Sequence, residues 1–378
     1  MNILIAGGGI GGLTAAGVLA RAGHAVTLVE REARFSPLGA GIVLAPNATR
    51  ALARIEVDIA RVAQPLPSMA ITRQDGRALQ RLDTRGERDG WGPTLALTRA
   101  ELSGALVAAL PSSVEVLLGR QVARAIDAGE RVEVTLDGES KARSVDLLVG
   151  ADGLRSGVRR LALGDWPLRY SGVTCWRGLA PNPGFEGAVE AWGGRARVGV
   201  VPLRGGQLYY YLVLSAPPRA PAPAWPSAFR QAFAGFEPRI TRLLEQLESA
   251  PPLHHDLEEL ERPVWGRGRI LLLGDAAHAM TPNQGQGAAM AIEDALALAR
   301  VLAVGPAGAV ERYQALREPR VREIQLQSRR LGAVAHWNNP LARALRDALL
   351  RLMPAAVGHA QIARVIRPGL ALLSDDAA

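Results

Sequence analysis

The chain has 378 residues, 48% hydrophobic and 21% charged, which is enough for one large or two smaller globular domains. Its single cysteine, Cys175, excludes an internal disulfide framework and a multi-cysteine metal site. We read neither a signal peptide nor a membrane-spanning run, so we expect a cytoplasmic protein with no membrane partner. The net charge of +8 comes almost wholly from scattered arginines, and with only 4% aromatic residues it does not indicate a nucleic-acid partner.

The N-terminal residues predict a βαβ unit. An apolar strand at 2–6 precedes a helix at 13–22, and a second apolar strand follows at 25–29. The turn between the first strand and the helix reads Gly-Gly-Gly-Ile-Gly-Gly. It therefore carries a glycine motif made of Gly7, Gly9 and Gly12.

The spacing of these glycines fits the approach of a dinucleotide. Gly7 permits a tight turn, Gly9 lets a pyrophosphate come close to the helix N-terminus, and Gly12 lets the helix pack on the strand. Glu30 lies 18 residues beyond Gly12, at the end of the second strand, where a carboxylate accepts hydrogen bonds from ribose hydroxyls. The alternative is a plain glycine turn followed by a surface glutamate.

The rest of the chain changes character twice. Alternating apolar residues at 131–137, 195–201 and 207–215 predict antiparallel strands. After residue 288 the pattern is helical, with helices expected at 288–303, 309–332, 340–352 and 355–366. Two earlier helices are expected near 46–55 and 99–110. The coarse prediction is a parallel α/β domain, interrupted by a mostly antiparallel sheet and followed by a helical tail.

A second motif follows the buried strand at 146–149. Asp152 and Gly153 come directly after this strand, and Ser156 and Arg159 follow within two helical turns. Such residues either cap the helix that begins here or contact a ligand. The spacing leaves both interpretations open.

A third motif follows the strand at 270–274. Asp275 ends this strand, at a position that points into the crevice where open α/β sheets bind their ligands. The loop at 283–287 then places backbone N–H groups at the start of a helix, where they stabilise negative charge. The alternative is a capping aspartate and a tight loop.

Together the three motifs resemble those of the single-component flavoprotein aromatic hydroxylases, the fold family of para-hydroxybenzoate hydroxylase. They occur in the order typical of that family: the glycine turn ending in Glu30 and Arg31, the Asp-Gly motif at 152–159 and the Gly-Asp motif at 274–287. The resemblance implies an α/β fold with a Rossmann-like FAD-binding domain of the glutathione reductase type, an inserted, mostly antiparallel substrate domain and a C-terminal helical region. The implied division is FAD-binding at 1–72, 99–165 and 263–305, substrate domain at 73–98 and 166–262, and C-terminal helices at 306–378.

The resemblance also implies contacts with a tightly but non-covalently bound FAD. Glu30 is implied to hold the adenosine ribose, Arg31 to lie beside the adenine, and Val122 to contact the adenine end through its backbone. Asp275 is implied to bind the ribityl chain or the pyrophosphate. Besides the three glycines of the first turn, the other residues implied to contact FAD are Val43, Arg99, Asp152, Gly285, Gln286 and Gly287. We interpret His278 as a structural residue behind the flavin loop.

The family resemblance implies a monooxygenase. NADH or NADPH, bound transiently, reduces FAD, and one oxygen atom of O₂ reaches an electron-rich ring through a flavin C4a-hydroperoxide. The protein has to position the ring and exclude water, and no metal is required. The expected partners are a small aromatic substrate and O₂, and the chain is expected to be a monomer or a homodimer.

The segments around Arg197 and Tyr209 predict the substrate contacts. An arginine and a tyrosine across a hairpin can clamp an anionic heterocycle, and a solvated arginine beside an aromatic core is an equal alternative. The region resembles that of FAD-dependent urate hydroxylases, which implies that Arg197, Tyr209 and Asn283 hold urate and that 5-hydroxyisourate is the first product. Asn283 stands where those enzymes have an acidic residue, and an amide cannot act as a base.

Two alternatives to urate hydroxylation remain. The ring can instead be salicylate, 6-hydroxynicotinate or another phenolic acid. The chain can also be a flavin-binding reductase or redox partner that hydroxylates nothing, in which case its consumption of NADH would ignore every ring added.

Overall fold

Short apolar strands joined by glycine turns and helices build the architecture, which a computed structural model describes for residues 1–35, 40–247 and 252–373. The strands are β1 (Asn2–Ala6), β2 (Ala25–Glu30), β3 (Gly41–Leu44), β4 (Gln64–Leu66), β5 (Ser68–Arg73), β6 (Ala78–Asp83), β7 (Thr94–Thr98), β8 (Glu115–Leu118), β9 (Val122–Asp127), β10 (Val132–Leu136), β11 (Arg143–Val145), β12 (Leu147–Gly150), β13 (Leu168–Pro181), β14 (Ala188–Trp192), β15 (Ala196–Pro202), β16 (Gln207–Ser215), β17 (Leu253–Leu260), β18 (Gly266–Arg267) and β19 (Ile270–Leu272). The helices are α1 (Ile10–Arg21), α2 (Pro46–Arg54), α3 (Arg99–Ala108), α4 (Gly157–Leu163), α5 (Ser227–Ala232), α6 (Pro238–Gln246), α7 (Asp275–His278), α8 (Gly287–Leu302), α9 (Ala309–Ala335), α10 (Pro340–Leu352) and α11 (Ala355–Ala371).

The first sheet brings all three sequence motifs to one edge. Its order is β18-β19-β12-β1-β2-β8, and every neighbouring pair except β18 and β19 is parallel. The register pairs Ala6 with Gly150 and Gly150 with Leu272. The segments after β1, β12 and β19 therefore leave the sheet side by side, as the carboxyl ends of parallel strands do. The predicted α/β fold with an inserted antiparallel sheet and a helical C-terminal region is confirmed.

Small residues let α1 and α8 lie close together beside this sheet. A Cβ atom on Gly11 would sit 2.6 Å from Leu273 and 3.2 Å from the Cβ of Ala291. Helix α1 begins at Ile10, three residues before the predicted start, because the N–H of Leu13 already donates to the carbonyl of Gly9 at 2.9 Å. Helix α8 therefore needs small side chains in order to pack closely against α1.

The second large sheet carries the predicted substrate strands. Its order is β17-β13-β16-β15-β14-β5-β6, with β15 and β16 antiparallel. Tyr210 packs into one apolar cluster with Trp176, whereas Tyr209 and Tyr211 lie on the opposite face, as the alternation predicted. A smaller sheet, β3-β7-β4, lies against that opposite face, since a Cβ on Gly41 would sit 2.4 Å from the Cβ of Tyr209.

A buried ion cluster ties the C-terminal helices to the first domain. Arg317 of α9 is 1% exposed and donates to Asp294 at 2.7 Å and to Glu293 at 2.9 Å, both on α8. Arg320 adds two bonds of 2.7 Å to Glu293. Burial alone raises the pKa of Asp294, but His278 and Arg317 outweigh it and hold that pKa at about 2.

We predict that Arg317→Met destabilises the protein by about 3–5 kcal/mol, because it leaves two carboxylates buried without their principal partner. Urea denaturation of the two proteins measures the difference. The matched control is Arg330→Met, which removes an exposed arginine from the same helix and should change the free energy of unfolding by less than about 0.5 kcal/mol. Equal losses in the two variants would contradict a stabilising role for the cluster.

Candidate active site

The glycine turn after β1 presents a helix start to open space. Gly7 has a φ of +110°, and a Cβ on Gly12 would lie 1.9 Å from the carbonyl oxygen of Gly7, so both positions require glycine. A Cβ on Gly9 would meet no atom within 4 Å. Gly9 also begins α1 without a side-chain cap, and no acidic residue occupies the first turn. The free N–H groups of α1 can therefore receive an anion.

Glu30 lies directly beside this turn. Its carboxylate accepts hydrogen bonds from the N–H groups of Gly8 at 2.6 Å and Glu32 at 2.9 Å. Arg31, the next residue, is largely exposed. The N–H of Arg120 donates to the carbonyl of Glu30 at 2.9 Å, which brings the segment that leads to Val122 against the same corner. The structure thus gathers Glu30, Arg31 and the start of β9 at one end of the site.

The second motif supports the site from behind. The carboxylate of Asp152 accepts from the hydroxyl of Ser156 at 2.5 Å and from the N–H of Val158 at 3.0 Å, so it orients the start of α4. Arg159 is buried and donates to the carbonyl of Ala276 at 2.8 Å. Burial lowers the pKa of Arg159. Of the two interpretations left open by the sequence, helix capping is the one these hydrogen bonds support.

The third motif forms the opposite wall. Asp275 is exposed at the tip of the sheet and begins α7. Gly285 has a φ of +63°, and Cβ atoms on Gly285 or Gly287 would meet nothing within 4 Å. Helix α8 begins after Gln286 without a side-chain cap. Its N–H groups therefore also lie beside open space.

Val43 lies on β3 of the small sheet, and Arg99 begins α3 directly after β7 of that sheet. Val43 pairs with Ala96, and the N–H of Arg99 donates to the carbonyl of Ala40 at 3.1 Å. The side chain of Arg99 is exposed at the start of α3, whose capping box is complete. Val43 packs in the apolar cluster that contains Tyr209 of the substrate strands.

The structure brings Arg197 and Asn283 together as predicted. Arg197 is 2% exposed, and its Nη2 donates to the Oδ1 of Asn283 at 2.8 Å. The amide of Asn283 is fixed in turn, because its Nδ2 donates to Thr281 at 3.0 Å and to the carbonyl of Ser328 at 2.9 Å. Every hydrogen bond of this amide is therefore directed within the protein.

The partner that sequence reasoning missed is Glu190. Its carboxylate accepts from the Nη1 of Arg197 at 3.0 Å, from the indole of Trp192 at 2.6 Å and from the hydroxyl of Tyr211 at 2.5 Å. The ring of Tyr211 lies over Gly199, which pairs with Glu190 across the sheet, and this gap lets the hydroxyl reach the carboxylate.

The predicted role of Tyr209 as a substrate contact stays a prediction; the tyrosine that shares the carboxylate of Glu190 with Arg197 is Tyr211. Tyr209 lies beside it, with ring centroids 5.7 Å apart, and packs on Gly41 of the small sheet. The two residues share a face, so alternation could not choose between them. Burial raises the pKa of Tyr209 to about 12, and burial together with Glu190 raises that of Tyr211 well above its ordinary value. Both hydroxyls are therefore neutral at working pH.

A cavity of about 150 Å³ adjoins this network and meets the loop at Thr281 and Asn283. Four buried polar atoms on its lining have no hydrogen-bond partner in the described part of the chain: the Oγ of Ser171, the Nε of Arg197, the Oε2 of Glu259 and the Nε2 of His336. Burial, helped by Arg197 and Arg346, lowers the pKa of His336 to about 3. Unpaired buried polar atoms are costly, and the residues that carry these four line one cavity, which indicates a site that a polar ligand or water completes.

Comparison with known proteins decides the family. A family model described as an FAD binding domain matches residues 1–327. This chain belongs to that FAD-binding family. It is 38% identical to 2-heptyl-3-hydroxy-4(1H)-quinolone synthase of Pseudomonas aeruginosa, over 94% of this chain and 95% of that protein. It is 36% identical to aurachin C monooxygenase/isomerase of Stigmatella aurantiaca, over 93% and 94% of the two chains.

The solved structures agree with this family. The crystal structure of Klebsiella pneumoniae HpxO complexed with FAD and uric acid superposes with a TM-score of 0.87 at 28% identity, covering 98% of this chain and 97% of the other. The protein is an FAD-dependent aromatic monooxygenase, and NAD(P)H is the usual reductant of its family. The expectation of FAD as the cofactor is confirmed.

The residues of the site fit FAD. Two uncapped helix starts face open space at Gly9 and Gly287, which suits a pyrophosphate at one and an electron-rich ring at the other. We propose that Glu30 holds the ribose, with Arg31 and Val122 at the adenine end. We further propose that Asp275 binds the ribityl chain or the pyrophosphate, and that the ring lies against the loop of Gly285, Gln286 and Gly287, with Val43 and Arg99 on the facing sheet.

We predict that Gly9→Ala lowers FAD affinity by about tenfold, equivalent to about 1.4 kcal/mol, because the added methyl occupies space that the backbone needs to approach the pyrophosphate. The flavin-to-protein ratio after dialysis measures retention. Gly104→Ala is the control, since that glycine also faces open space but lies on α3. An unchanged ratio in Gly9→Ala would contradict the assignment of this turn.

Proposed function

We propose that this monooxygenase hydroxylates a neutral, nitrogen-containing aromatic ring of the 4(1H)-quinolone class. The observation that carries the proposal is the charge balance at Arg197. This arginine is buried, but its positive charge is already paired with Glu190 at 3.0 Å, and its Nη2 is used by Asn283. The guanidinium of Arg197 therefore has no surplus charge of its own to offset the desolvation of an anionic ring.

The hydrogen-bonding atoms left free suit a neutral ring. Arg197 keeps one unpaired donor, its Nε–H, which can bind a ring carbonyl. His336 keeps its Nε2 unpaired, while its Nδ1 lies 2.9 Å from the hydroxyl of Ser215. Because His336 is neutral, one of its imidazole nitrogens carries no proton. That nitrogen can accept a hydrogen bond from the N–H group of a substrate ring. A 4(1H)-quinolone carries one carbonyl and one ring N–H.

The groups around Arg197 do not favour removal of a proton from the substrate. Asn283 cannot accept a proton as a base, Tyr211 holds its own tightly, and His336 is a weak base because its pKa is lowered. A 4(1H)-quinolone is already electron-rich through its ring nitrogen and needs no such step. Reduced FAD, when bound, supplies the chemistry that activates O₂, and Arg197 and His336 orient the ring.

Urate remains the second candidate. The likeness to HpxO in complex with uric acid and the contact between Arg197 and Asn283 support it. At neutral pH urate is an anion, however, and it would meet the carboxylate of Glu190 as well as the guanidinium. The same charge argument weighs against salicylate and 6-hydroxynicotinate.

Substrate titration of the holoenzyme tests the proposal. We expect 2-heptyl-4(1H)-quinolone to accelerate NADH or NADPH oxidation and to yield a product heavier by one oxygen atom, with little hydrogen peroxide. Urate and 6-hydroxynicotinate are added in parallel. Coupled turnover with urate and none with the quinolone would reverse the ranking. Peroxide release that is indifferent to every ring would indicate a flavoprotein that does not hydroxylate.

We also predict that Arg197→Lys raises the KM for the quinolone by roughly tenfold or more and increases peroxide release, because lysine keeps the charge beside Glu190 but loses the Nε–H donor. FAD content should be unchanged. Arg195→Lys, an exposed position just before the same strand, is the control. If the arginine instead clamps an anion through its charge, the lysine variant should keep most of its affinity, which would count against a neutral substrate.

A further inference from the structure

Helix α10 turns its apolar face outward. Leu341, Leu345, Leu349 and Leu352 are 82%, 58%, 59% and 78% exposed. Their spacing of four, four and three residues places them on one face of the helix. The exposed Ala344 and Ala348 extend this face, which we call the leucine face. Contiguous apolar surface of this kind marks an interaction site.

The polar face of α10 is directed into the protein. Arg346 is 2% exposed, donates to the carbonyl of Ala335 at 3.1 Å and lies over the ring of Trp192 at 5.1 Å. Asp347 is buried beside it and accepts from Arg346 at 2.8 Å. These contacts fix the rotation of the helix. The exposure of the leucines is therefore a consequence of specific polar packing.

An arginine-lined cleft of about 380 Å³ borders the leucine face. Its basic residues are Arg73, Arg343 and Arg351, and its one acidic lining residue, Asp347, is already paired with Arg346 and lies 3.7 Å from Arg73. The Nε–H of Arg343 is buried and has no acceptor within the described residues. The cleft thus has surplus positive charge and a free donor, which suit a phosphate group.

We propose that α10 docks on the surface of an anionic phospholipid bilayer, with the leucine face in the acyl boundary and a lipid phosphate in the arginine-lined cleft. A helix with leucines on one side and arginines beside them is typical of such interfacial binding. Its 13 residues extend about 20 Å and lie along the surface. No helix in the described part of the chain is long and apolar enough to cross the bilayer.

Charge favours a bilayer over a second copy of the chain. From Pro340 to Ala371 the two last helices carry five arginines and one aspartate, and that aspartate is paired internally. A second copy packed on the leucine face would bring these arginines near one another, which opposes association. An anionic lipid surface instead attracts those of them that are exposed. The inference does not depend on the identity of the substrate.

Flotation of the holoenzyme with lipid vesicles tests the proposal. We expect binding to vesicles that contain phosphatidylglycerol and much weaker binding to phosphatidylcholine alone, with binding reduced by added salt. The double variant Leu345→Gln, Leu349→Gln should lose at least about tenfold in partitioning, because two leucines no longer leave water. Its control is Leu253→Gln, Val304→Gln, which changes two exposed apolar residues elsewhere. FAD content and thermal stability verify folding in both.

A second pair of variants tests the cleft. Arg343→Gln, Arg351→Gln should lose the preference for anionic vesicles, whereas Arg61→Gln, Arg195→Gln removes the same charge from exposed positions elsewhere and should keep it. Failure of the wild type to float with either vesicle would overturn the proposal. Equal flotation of the leucine variant and its control would do so too. A dimer that dissociates in the leucine variant, without vesicle binding, would assign this face to a second copy or another protein.

Discussion

The buried pairing of Arg317 with Asp294 and Glu293 is the interaction on which the geometry of the site depends. Asp294 also accepts the N–H of Gly274 at 3.0 Å, directly before Asp275. Glu293 accepts from Asn47 at 2.8 Å, and Asn47 donates to Gln286 at 3.0 Å. One arginine of α9 therefore fixes both the tip of β19 and the start of α8. Charges desolvated this completely are tolerated only in full pairing, which leaves one arrangement available.

Helix α9 also fixes the position of Asn283 on the substrate side of the site. Asn283 donates to the carbonyl of Ser328, and a Cβ on Gly332 would lie 2.4 Å from the Nδ2 of Asn283, so α9 holds this amide closely. The amide in turn accepts from Arg197, whose charge Glu190 balances. Hydrogen bonds thus run from α9 through the loop at 283–287 to β15. Polar side chains that are already paired within the protein can orient a substrate ring but do not bind an anion strongly. The proposed substrate selectivity therefore depends on hydrogen-bond orientation and not on ion pairing.

The sequence signals for the proposed flavin end of the site are local, because that end uses backbone geometry. The glycine turn, Glu30 and the loop at 283–287 each have a local signal, since a close approach or an uncapped helix start leaves glycines at fixed spacing. Arg197 and Asn283, which were predicted to share one substrate site, lie together in the structure. Helix boundaries were less exact, because α1 begins at Ile10, within the turn.

What the sequence could not supply is register. Alternation placed Tyr209 and Tyr211 on one face, but only the pairing of Gly199 with Tyr211 and with Glu190 shows which ring reaches the carboxylate. In the sequence, Glu293 and Asp294 look like two exposed acidic residues of a helix. Only the packing of α9 on α8 shows that both are buried. The long strand β13 was missed for a related reason: its pairing with β17 shifts register between Tyr170 and Thr174, where the alternation breaks.

The orientation of α10 and the charge balance at Arg197 bear on each other. A helix that leaves four leucines largely exposed forgoes part of the free energy of burial, which is about 1.5–3 kcal/mol for a fully buried leucine. A bilayer would recover it. A neutral quinolone with an alkyl chain also concentrates in acyl chains, whereas urate and other small anions stay in water. Docking at a bilayer surface therefore raises the local concentration of a neutral, apolar substrate and does nothing for an anionic one. The outward leucines and the internally paired arginine thus favour the same class of ring for independent physical reasons.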